Sequence, residues 1–403
     1  MELIFEILIY SLTAILIGII GAWVFLIKSM SDSFRLTPYL DRFEEKSEIK
    51  NPIVSIILPA RNEEEFIGKC LDTLVNQDYR DYEIIVIDDS SEDDTRKIIL
   101  EYAKKCKKIV PVFARSKPDG WMGKNWACME GYRKAKGDLL LFTDADTTHS
   151  KNVISLAVKH LNSFNLDALS AIPKMLTFDF WTKITLPMIS TFLHTRFSAL
   201  NVNDPNKKTG YFFGSFFILQ KKVYEEVGMH EGVKHEIIED GALGKKVKES
   251  GYKMKMVRAE HIIEAVWARD KSTLWNALKR LMVPLYLQSG KIAIGIFFAV
   301  VFLLFVPFLI LAVTTIFPIE TPSMKILCIS AAIASLLIYT GAIIEAKFGL
   351  GLRLPHALCA PLGGLVVVSG FLSGLLQAKS SSSVSWRGRS YSMKDHNQSS
   401  ISV

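Results

Sequence analysis

Three stretches in the first half of the chain decide its fold: VSIILPARNEEEFIGKCLDTLVNQDY at 54–79, EIIVIDDSSEDDT at 83–95 and GDLLLFTDAD at 137–146. Each contains a short run of apolar residues, which is typical of a strand buried on both faces of a sheet. Helical patterns separate the runs. The alternation of strands and helices predicts an α/β fold, with a mostly parallel sheet flanked by helices.

The same patterns set the expected bounds of the elements. We expect strands at 54–58, 82–87, 109–113, 138–143 and 168–172, and helices at 66–76, 92–106, 124–135 and 241–249. Ligands of such sheets bind at the carboxyl ends of the strands. The loops after the strands are therefore expected to hold the functional side chains.

Acidic residues are concentrated in these loops. An aspartate in a loop is usually a turn former or a helix cap, as we expect for Asp93 and Asp94. Two acidic groups at the ends of different strands are harder to explain in that way. They are Asp88 with Asp89, and Asp144 with Asp146. Because the second pair flanks a small residue, both carboxylates can turn toward one divalent cation, Mg²⁺ or Mn²⁺.

Four apolar runs, at 7–27, 292–319, 326–344 and 354–378, are long enough to cross a bilayer, which takes about 20 residues. The first is too long for a signal peptide, so residues 1–30 are expected to be a retained transmembrane anchor. The other three predict a group of C-terminal transmembrane segments within 291–378.

Charge predicts the orientation in the membrane. Basic residues follow the first run, so residues 51–265 are expected to form a cytoplasmic domain of a multi-pass cell-membrane protein. The net charge of +7 then fits an anionic bilayer face or a phosphorylated substrate, and we expect no nucleic-acid partner. Three further crossings would place the basic tail, 379–403, outside. Either the charge rule fails at this end, or the last segment, which contains prolines and glycines, does not fully cross.

Together these motifs resemble family 2 glycosyltransferases of the GT-A fold, over about residues 52–265. Further stretches are similar to a membrane-bound branch that includes ceramide glucosyltransferase and the hopanoid-associated and carotenoid glycosyltransferases. These stretches are GWMGKNWACMEGY at 120–132, GMHEGVKHEIIEDGALG at 228–244 and SWRGRSY at 385–391. The resemblance does not suggest a role for the last motif, Trp386 to Tyr391.

The resemblance implies roles for residues that bind the donor, a nucleotide-sugar. Asp144 and Asp146 match the motif that holds the metal ion against the diphosphate, and Asp144 is also counted among the donor contacts. Lys124 lies in a loop expected beside the diphosphate, although it could be an ordinary surface charge. The other residues implied to bind the nucleotide are Pro59, Ala60, Glu63, Asp88 and Asp89.

Asp240 matches the catalytic base of the family, which removes a proton from the acceptor hydroxyl during inverting transfer. Glu239 is the second candidate, and the alternative is that both simply open a helix. The region 272–288 lacks the Q-x-x-R-W motif of the polymerising members, which argues for transfer of a single sugar. Arg280 in this region either reaches the diphosphate or anchors the chain at the membrane surface.

The segments 179–200 and 271–290 are expected to lie in the membrane interface, which suits a lipid acceptor. The leading hypothesis is therefore an integral-membrane, metal-dependent, inverting glycosyltransferase that transfers one sugar, from UDP-sugar by preference, to a lipid hydroxyl. The alternatives are a polyprenyl-phosphate sugar synthase of the same fold, which needs no strong base, and a membrane protein that binds nucleotide-sugars without chemistry.

Overall fold

The predicted strand runs form strands in the computed structural model, which describes residues 2–43, 51–195, 197–316, 321–380, 383–386 and 389–392. The strands are β1 (Val54–Ala60), β2 (Tyr82–Asp88), β3 (Ile109–Phe113), β4 (Leu139–Phe142), β5 (Thr147–His149), β6 (Ala168–Ile172), β7 (Lys174–Thr177), β8 (Phe217–Gln220), β9 (Met254–Arg258), β10 (Ile263–Ala268), β11 (Ser383–Trp386) and β12 (Arg389–Ser392).

The helices alternate with the strands in the first half of the chain and dominate its second half. They are α1 (Glu2–Leu36), α2 (Ile67–Val75), α3 (Thr95–Lys105), α4 (Gly123–Tyr132), α5 (Val153–Phe164), α6 (Phe180–Ser190), α7 (Ala199–Asn203), α8 (Lys221–Glu226), α9 (Glu239–Glu249), α10 (Lys271–Gln288), α11 (Gly290–Leu304), α12 (Val306–Ile316), α13 (Pro322–Ile344), α14 (Leu354–Leu358) and α15 (Ala360–Ser380). A π-helical turn, Glu345–Gly349, follows α13.

The elements divide into two compact units. One contains Thr37–Leu176, Phe197–Trp267 and Ser385–Val403, and the other contains Met1–Leu36, Thr177–Arg196 and Ala268–Val384, as far as these ranges are described. The predicted α/β region at 51–265 is thus interrupted by a helical segment of the other unit.

A seven-stranded mixed sheet forms the centre of the α/β unit, with the strand order β3-β2-β1-β4-β8-β6-β9. The predicted α/β fold with a mostly parallel sheet is confirmed. The side chains of β1 show why the strand reads as a continuous apolar run: Ile56 and Leu58 pack into one core and Ile57 into another. Helices cover both faces of the sheet, so each face needs apolar residues.

The five predicted strand runs, which became β1 to β4 and β6, all run in the same direction, but β4 and β6 are not neighbours. Strand β8 lies between them and is antiparallel to both. Phe142 of β4 and Phe217 of β8 stack with ring centroids 4.8 Å apart. The predicted bounds of the other elements differ by a few residues. The helix expected from 92 begins only at Thr95, because the Asp93 carboxylate accepts the N–H of Thr95 at 3.0 Å and turns the chain there.

In the helical unit, three helices of the described residues are long and apolar enough to cross a membrane: Leu3–Leu36, Pro322–Gly349 and Ala360–Ser380. The run predicted as one span at 292–319 is broken. Helices α11 and α12 meet at Phe305 with a bend of 47°. Pro307 explains the break, since it has no N–H to donate to the carbonyl four residues earlier, that of Leu303, which accepts from the Trp23 indole at 2.9 Å instead. The end of that run, 317–319, lies outside the described residues.

Helices α1 and α13 run side by side in the same direction. Near their starts, Ser323 donates to the Glu6 carboxylate at 2.9 Å. Further along, Gly341 packs so closely on the Trp23 ring that a methyl group would not fit. At their ends, the Phe34 and Phe348 rings lie 6.3 Å apart. Because each pair joins corresponding positions, both helices cross any bilayer in the same sense.

The segment 179–200 is not the single helix that its apolar pattern suggested. It forms α6, then a 3₁₀ turn at Thr191–His194, and α7 begins only at Ala199. The hydroxyls of Ser190 and Thr191 donate to carbonyls four residues earlier, at 2.6 and 2.8 Å, which competes with the continuing helix. Helix α6 packs against α15, where Gly363 leaves space for the backbone of Ile184.

Candidate active site

The loops after β1 and β2 are fastened together at the carboxyl edge of the sheet. The backbone N–H of Asp89 donates to the Ala60 carbonyl at 2.9 Å. The Arg61 guanidinium donates to the carbonyls of Asp89 and Ser90 at 2.7 and 2.6 Å. Asn62 and Ser90 both have left-handed backbones, with φ of 52° and 57°, which turn the two loops back on themselves.

Five of the residues expected to bind the nucleotide come together at this edge: Pro59, Ala60, Glu63, Asp88 and Asp89. In the β1–β2 ladder, Ala60 pairs with Asp88. The Asp88 carboxylate is 2% exposed and accepts the N–H of Ser91 at 3.0 Å, so part of its bonding capacity holds its own turn. Glu63 is buried, and its backbone N–H donates to the Thr95 hydroxyl at 2.7 Å.

Asp144 and Asp146 follow β4 on a short turn toward β5. Ala145 between them is buried, whereas both aspartates are half-exposed, so they point away from the core. The Thr143 hydroxyl anchors the turn by donating to the Ser215 carbonyl at 2.7 Å. His149 lies behind it, 3.1 Å from the Thr143 hydroxyl, and burial lowers the pKa of this imidazole to about 3, which keeps it neutral.

Lys124, at the start of α4, joins two acidic groups that are far apart in the sequence. Its ammonium nitrogen lies 2.7 Å from Asp144 Oδ1 and 2.7 Å from Glu239 Oε1. Burial alone would lower the pKa of Lys124. The carboxylates of Asp144, Glu239 and Asp240 outweigh it and raise this pKa well above its ordinary value. Lys124 is therefore a fixed positive charge between helix α9 and the turn that carries Asp144 and Asp146.

Asp240 begins α9 beside Glu239, and its carboxylate accepts the N–H of Gly241 at 2.8 Å. Burial, and then the charge of Glu239, raise the pKa of Asp240 to about 7, while Lys124 opposes this shift. A carboxylate with a pKa near 7 is well suited to accept a proton at neutral pH. Glu239 is less suited, since one of its oxygens is already engaged by Lys124.

Gly214 completes the cluster by having no side chain. A Cβ at this position would lie 2.8 Å from Asp240 Oδ2, 3.1 Å from Lys124 Nζ and 3.4 Å from Asp144 Oδ2. Three charged groups from three elements therefore converge on one point. The backbone of Gly214 closes that point.

The C-terminal strand β12 also reaches this unit. The Arg389 guanidinium forms an ion pair with the Asp89 carboxylate and donates to the Asp89 carbonyl at 3.3 Å. The Tyr391 hydroxyl accepts the backbone N–H of Gly123, and the ring is 7% exposed. Of the sequence motif 385–391, residues 387 and 388 (Arg387 and Gly388) lie outside the described residues.

Residues 55–228 match the family model described as Glycosyl transferase family 2. The chain carries a glycosyltransferase family 2 domain. A curated relative, 4,4'-diaponeurosporenoate glycosyltransferase of Staphylococcus aureus (strain USA300), is 27% identical over 209 residues, which cover 47% of this chain and 50% of the relative. The chain thus spans about half the length of the curated relatives that it matches.

A solved structure supports the fold of this glycosyltransferase domain. The mannosyltransferase PcManGT of Pyrobaculum calidifontis, in complex with GDP-Man and Mn²⁺, aligns with a TM-score of 0.52 at 18% identity, over 91% of this chain and 99% of that chain. Identity at this level establishes a shared GT-A architecture and no more.

The glycosyltransferase domain offers two oxygen ligands for a cation at the Asp144 turn. Among the described residues, no group of three or more His, Cys, Asp and Glu side chains is arranged to hold a metal ion. Mg²⁺ usually takes one or two carboxylates and completes its shell with waters and substrate phosphates. Asp144 and Asp146, half-exposed on either side of buried Ala145, fit that kind of site.

Two arginines, Arg280 and Arg61, bear on the donor site in different ways. Arg280 lies half-buried on α10, in the helical unit, so its contact with the diphosphate stays a prediction. Arg61 was not anticipated, although it holds the loops after β1 and β2 together. The signal available was its place directly after Pro59 and Ala60 in the first motif.

Proposed function

We propose that this protein is an integral-membrane, inverting glycosyltransferase that transfers one sugar from a nucleotide-sugar, a UDP-sugar by preference, to the hydroxyl of a lipid. One observation carries the proposal. Lys124 joins the turn after β4, through Asp144, to the acidic start of α9, through Glu239 beside Asp240. A donor phosphate needs positive charge, whereas an acceptor hydroxyl needs a base. This cluster contains both a cation and carboxylates within one site.

The donor half of the reaction uses the carboxyl edge of the sheet. The fastened loops at Ala60 and Asp89 are proposed to hold the nucleotide, and Lys124 is proposed to meet the diphosphate. Asp144 and Asp146 would hold Mg²⁺ or Mn²⁺, which, when bound, neutralises charge on the leaving diphosphate. When a phosphate oxygen arrives, Lys124 can exchange one of its carboxylate partners for it.

The acceptor half uses Asp240. The acceptor oxygen forms a bond to the anomeric carbon while the bond from that carbon to the diphosphate breaks, and Asp240 takes the hydroxyl proton. With a pKa of about 7, Asp240 is about half ionised at pH 7 and largely ionised above it, and the ionised form is the one that acts as a base. Attack from the face opposite the diphosphate inverts the anomeric centre.

The lipid acceptor is supported by the helices. Three described helices are long and apolar enough to cross a membrane, and the curated relative is, by its name, a 4,4'-diaponeurosporenoate glycosyltransferase. We propose a cell-membrane location, with residues 51–265 on the cytoplasmic side, from the basic residues after the first helix. The raised pKa of Asp240 favours a hydroxyl acceptor over a polyprenyl phosphate, which is already anionic and needs no strong base.

The test is a transfer assay on the full chain purified in detergent, with labelled UDP-, GDP- and dTDP-sugars, total lipid extract and Mg²⁺ or Mn²⁺. We expect one lipid to gain the mass of a single sugar, in a linkage that survives the mild acid that cleaves glycosyl phosphates. EDTA and the variant Asp144→Ala should each lower transfer activity by about 100-fold or more. Asp138→Ala, which changes an exposed aspartate before β4, is the matched control.

Three results would contradict the proposal. If none of these sugars is transferred and none of the donors is hydrolysed, the protein is not the proposed enzyme. An acid-labile product would assign the polyprenyl-phosphate reaction instead. Full activity in EDTA would remove the metal from the mechanism.

A further inference from the structure

The C-terminal strand contacts the place where the donor diphosphate is proposed to bind. Gly123 is the first residue of α4, and its neighbour Lys124 is the proposed phosphate contact. A Cβ on Gly123 would lie 2.6 Å from the Tyr391 hydroxyl, 3.0 Å from Arg389 Nη1 and 3.0 Å from Asp89 Oδ2. Three side chains from two distant parts of the sequence therefore surround the start of this helix.

The groups at this point match a phosphate anion. The first N–H groups of a helix favour negative charge, and the Gly123 N–H is here bonded by a neutral hydroxyl, that of Tyr391. The guanidinium of Arg389 presents a planar set of donors that suits phosphate oxygens. The N–H groups of this guanidinium bond the carboxylate and the carbonyl of Asp89.

Burial indicates that β12 is a built part of the domain. The side chain of Arg389 is 22% exposed, and that of Asp89 only 6%. Tyr391 is also buried. An exposed tail that touched the domain by chance would not bury an arginine against a carboxylate, because desolvation of both charges has to be compensated by the contact.

We propose that Arg389 is a donor-binding residue, which contacts the β-phosphate of the nucleoside diphosphate and uses Asp89 as its resting partner. Tyr391 holds the strand at the start of α4, so that the guanidinium remains within reach of the phosphate. The C-terminal strand then forms one wall of the donor site. This inference rests on the proposed function, since it adds a residue to the same donor site.

The experiment measures nucleotide binding by calorimetry on the full-length protein in detergent, with Mg²⁺ present. UDP, GDP, dTDP and ADP are tested first, and the best ligand is then compared with its own monophosphate. The variants are Arg389→Ala and Arg389→Lys. The control is Lys379→Ala, which removes one positive charge from an exposed position at the end of α15.

We expect Arg389→Ala to weaken binding of the diphosphate by about 10- to 100-fold, the range for a lost hydrogen bond to a charged group. Binding of the monophosphate should weaken much less, so the preference for the diphosphate should shrink by about the same factor. Arg389→Lys, which keeps the charge but not the planar set of donors, should fall between the wild type and the alanine variant. Lys379→Ala should bind like the wild type.

The outcomes distinguish a failure of the proposed function from a failure of the role of Arg389. If the wild type binds no nucleoside diphosphate, the proposed function itself fails. If it binds one and Arg389→Ala binds equally well, only the role of Arg389 is refuted. If Arg389→Ala weakens the mono- and diphosphate equally, Arg389 acts only by orienting Asp89, and the proposed phosphate contact is wrong. A loss of folding in Arg389→Ala would appear in thermal unfolding, and Arg389→Lys then decides between these results.

Discussion

Replacing Asp240 with asparagine separates proton removal from donor binding. The change keeps the size of the side chain, and the amide oxygen can still accept the Gly241 N–H, which is bonded at 2.8 Å. The bridges of Lys124 to Asp144 and to Glu239, each 2.7 Å, do not involve the altered group. The donor half of the site should therefore survive, and only the ability to accept a proton is lost.

The size of the effect follows from the pKa. Only the ionised carboxylate can act as a base, so with a pKa of about 7 the wild-type rate should rise with pH and level off above neutrality. At pH 6 it should be about tenfold below its plateau, and at pH 5 about 100-fold. Asp240→Asn should lose about 10²–10⁴-fold at the plateau, or roughly 2.7–5.5 kcal/mol in the barrier. The remaining activity should not follow this pH curve.

The assay is the initial rate of lipid glycosylation from pH 5 to 9 at saturating donor, with nucleotide affinity measured in parallel. Asp138→Asn, an equal loss of charge at an exposed site, should behave like the wild type. Near-normal turnover of Asp240→Asn, or a pH curve that the substitution leaves in place, would refute the assignment of the base.

Three further predictions follow from close packing and chain direction. Gly214→Ala should lower activity by roughly 100-fold without unfolding the domain, because its methyl group would meet Asp240 at 2.8 Å; Gly68→Ala, with its nearest neighbour at 3.8 Å, should be silent. Gly341→Ala should destabilise the protein in thermal unfolding by about 1–3 kcal/mol through its clash with Trp23, whereas Gly21→Ala, in open space, should not. Cysteines placed at Lys104 and at Lys379, in a cysteine-free background, should react alike with an impermeant thiol reagent in intact cells, and opposite labelling would show that the tail lies across the membrane from the catalytic domain.

The central strands of the fold were predictable because burial on both faces demands continuous apolar runs. Strands β1, β2 and β4 agree with their predicted runs to within two residues at each end. Strand β8 was not predictable from local pattern. It has four residues, Phe217–Gln220, within an aromatic stretch, and its antiparallel direction depends on where the preceding segment returns to the sheet.

The candidate site residues could be picked out from the sequence, whereas the contacts between them could not. Strand ends and acidic pairs pointed to Asp89 and Asp144, because chemistry concentrates at the carboxyl edge of a parallel sheet, whereas Asp240 was implied by the resemblance to the family. The pairing of Lys124 with both Asp144 and Glu239 could not be read from the chain, since it joins the starts of two helices to the end of a strand. The raised pKa of Asp240 likewise depends on burial and on Glu239.

The directions of the helices favour one of the two alternatives for the basic tail. Helices α1 and α13 run in the same sense, so α13 ends on the side of the membrane where α1 ends and the glycosyltransferase domain begins. The bent pair α11 and α12 must then return the chain to the opposite side as one broken span. The tail that follows α15 contacts Asp89 of that domain. We therefore expect α15 to start and finish on the same side.

Helix α15 is long and apolar enough to span a bilayer, but its packing accounts for the apolar residues in another way. Its glycines fit closely against other helices of the unit: Gly363 against α6, Gly364 against Leu304 of α11, and Gly370 and Gly374 against Leu278 and Met282 of α10. Helices α6 and α10 come from the segments predicted to lie in the membrane interface, whereas α11 belongs to the bent apolar pair. We expect α15 to lie there with them, since this placement leaves the basic tail on the side that the distribution of positive charge requires. Length and hydropathy could not distinguish such a helix from a span, because both quantities are the same in either position.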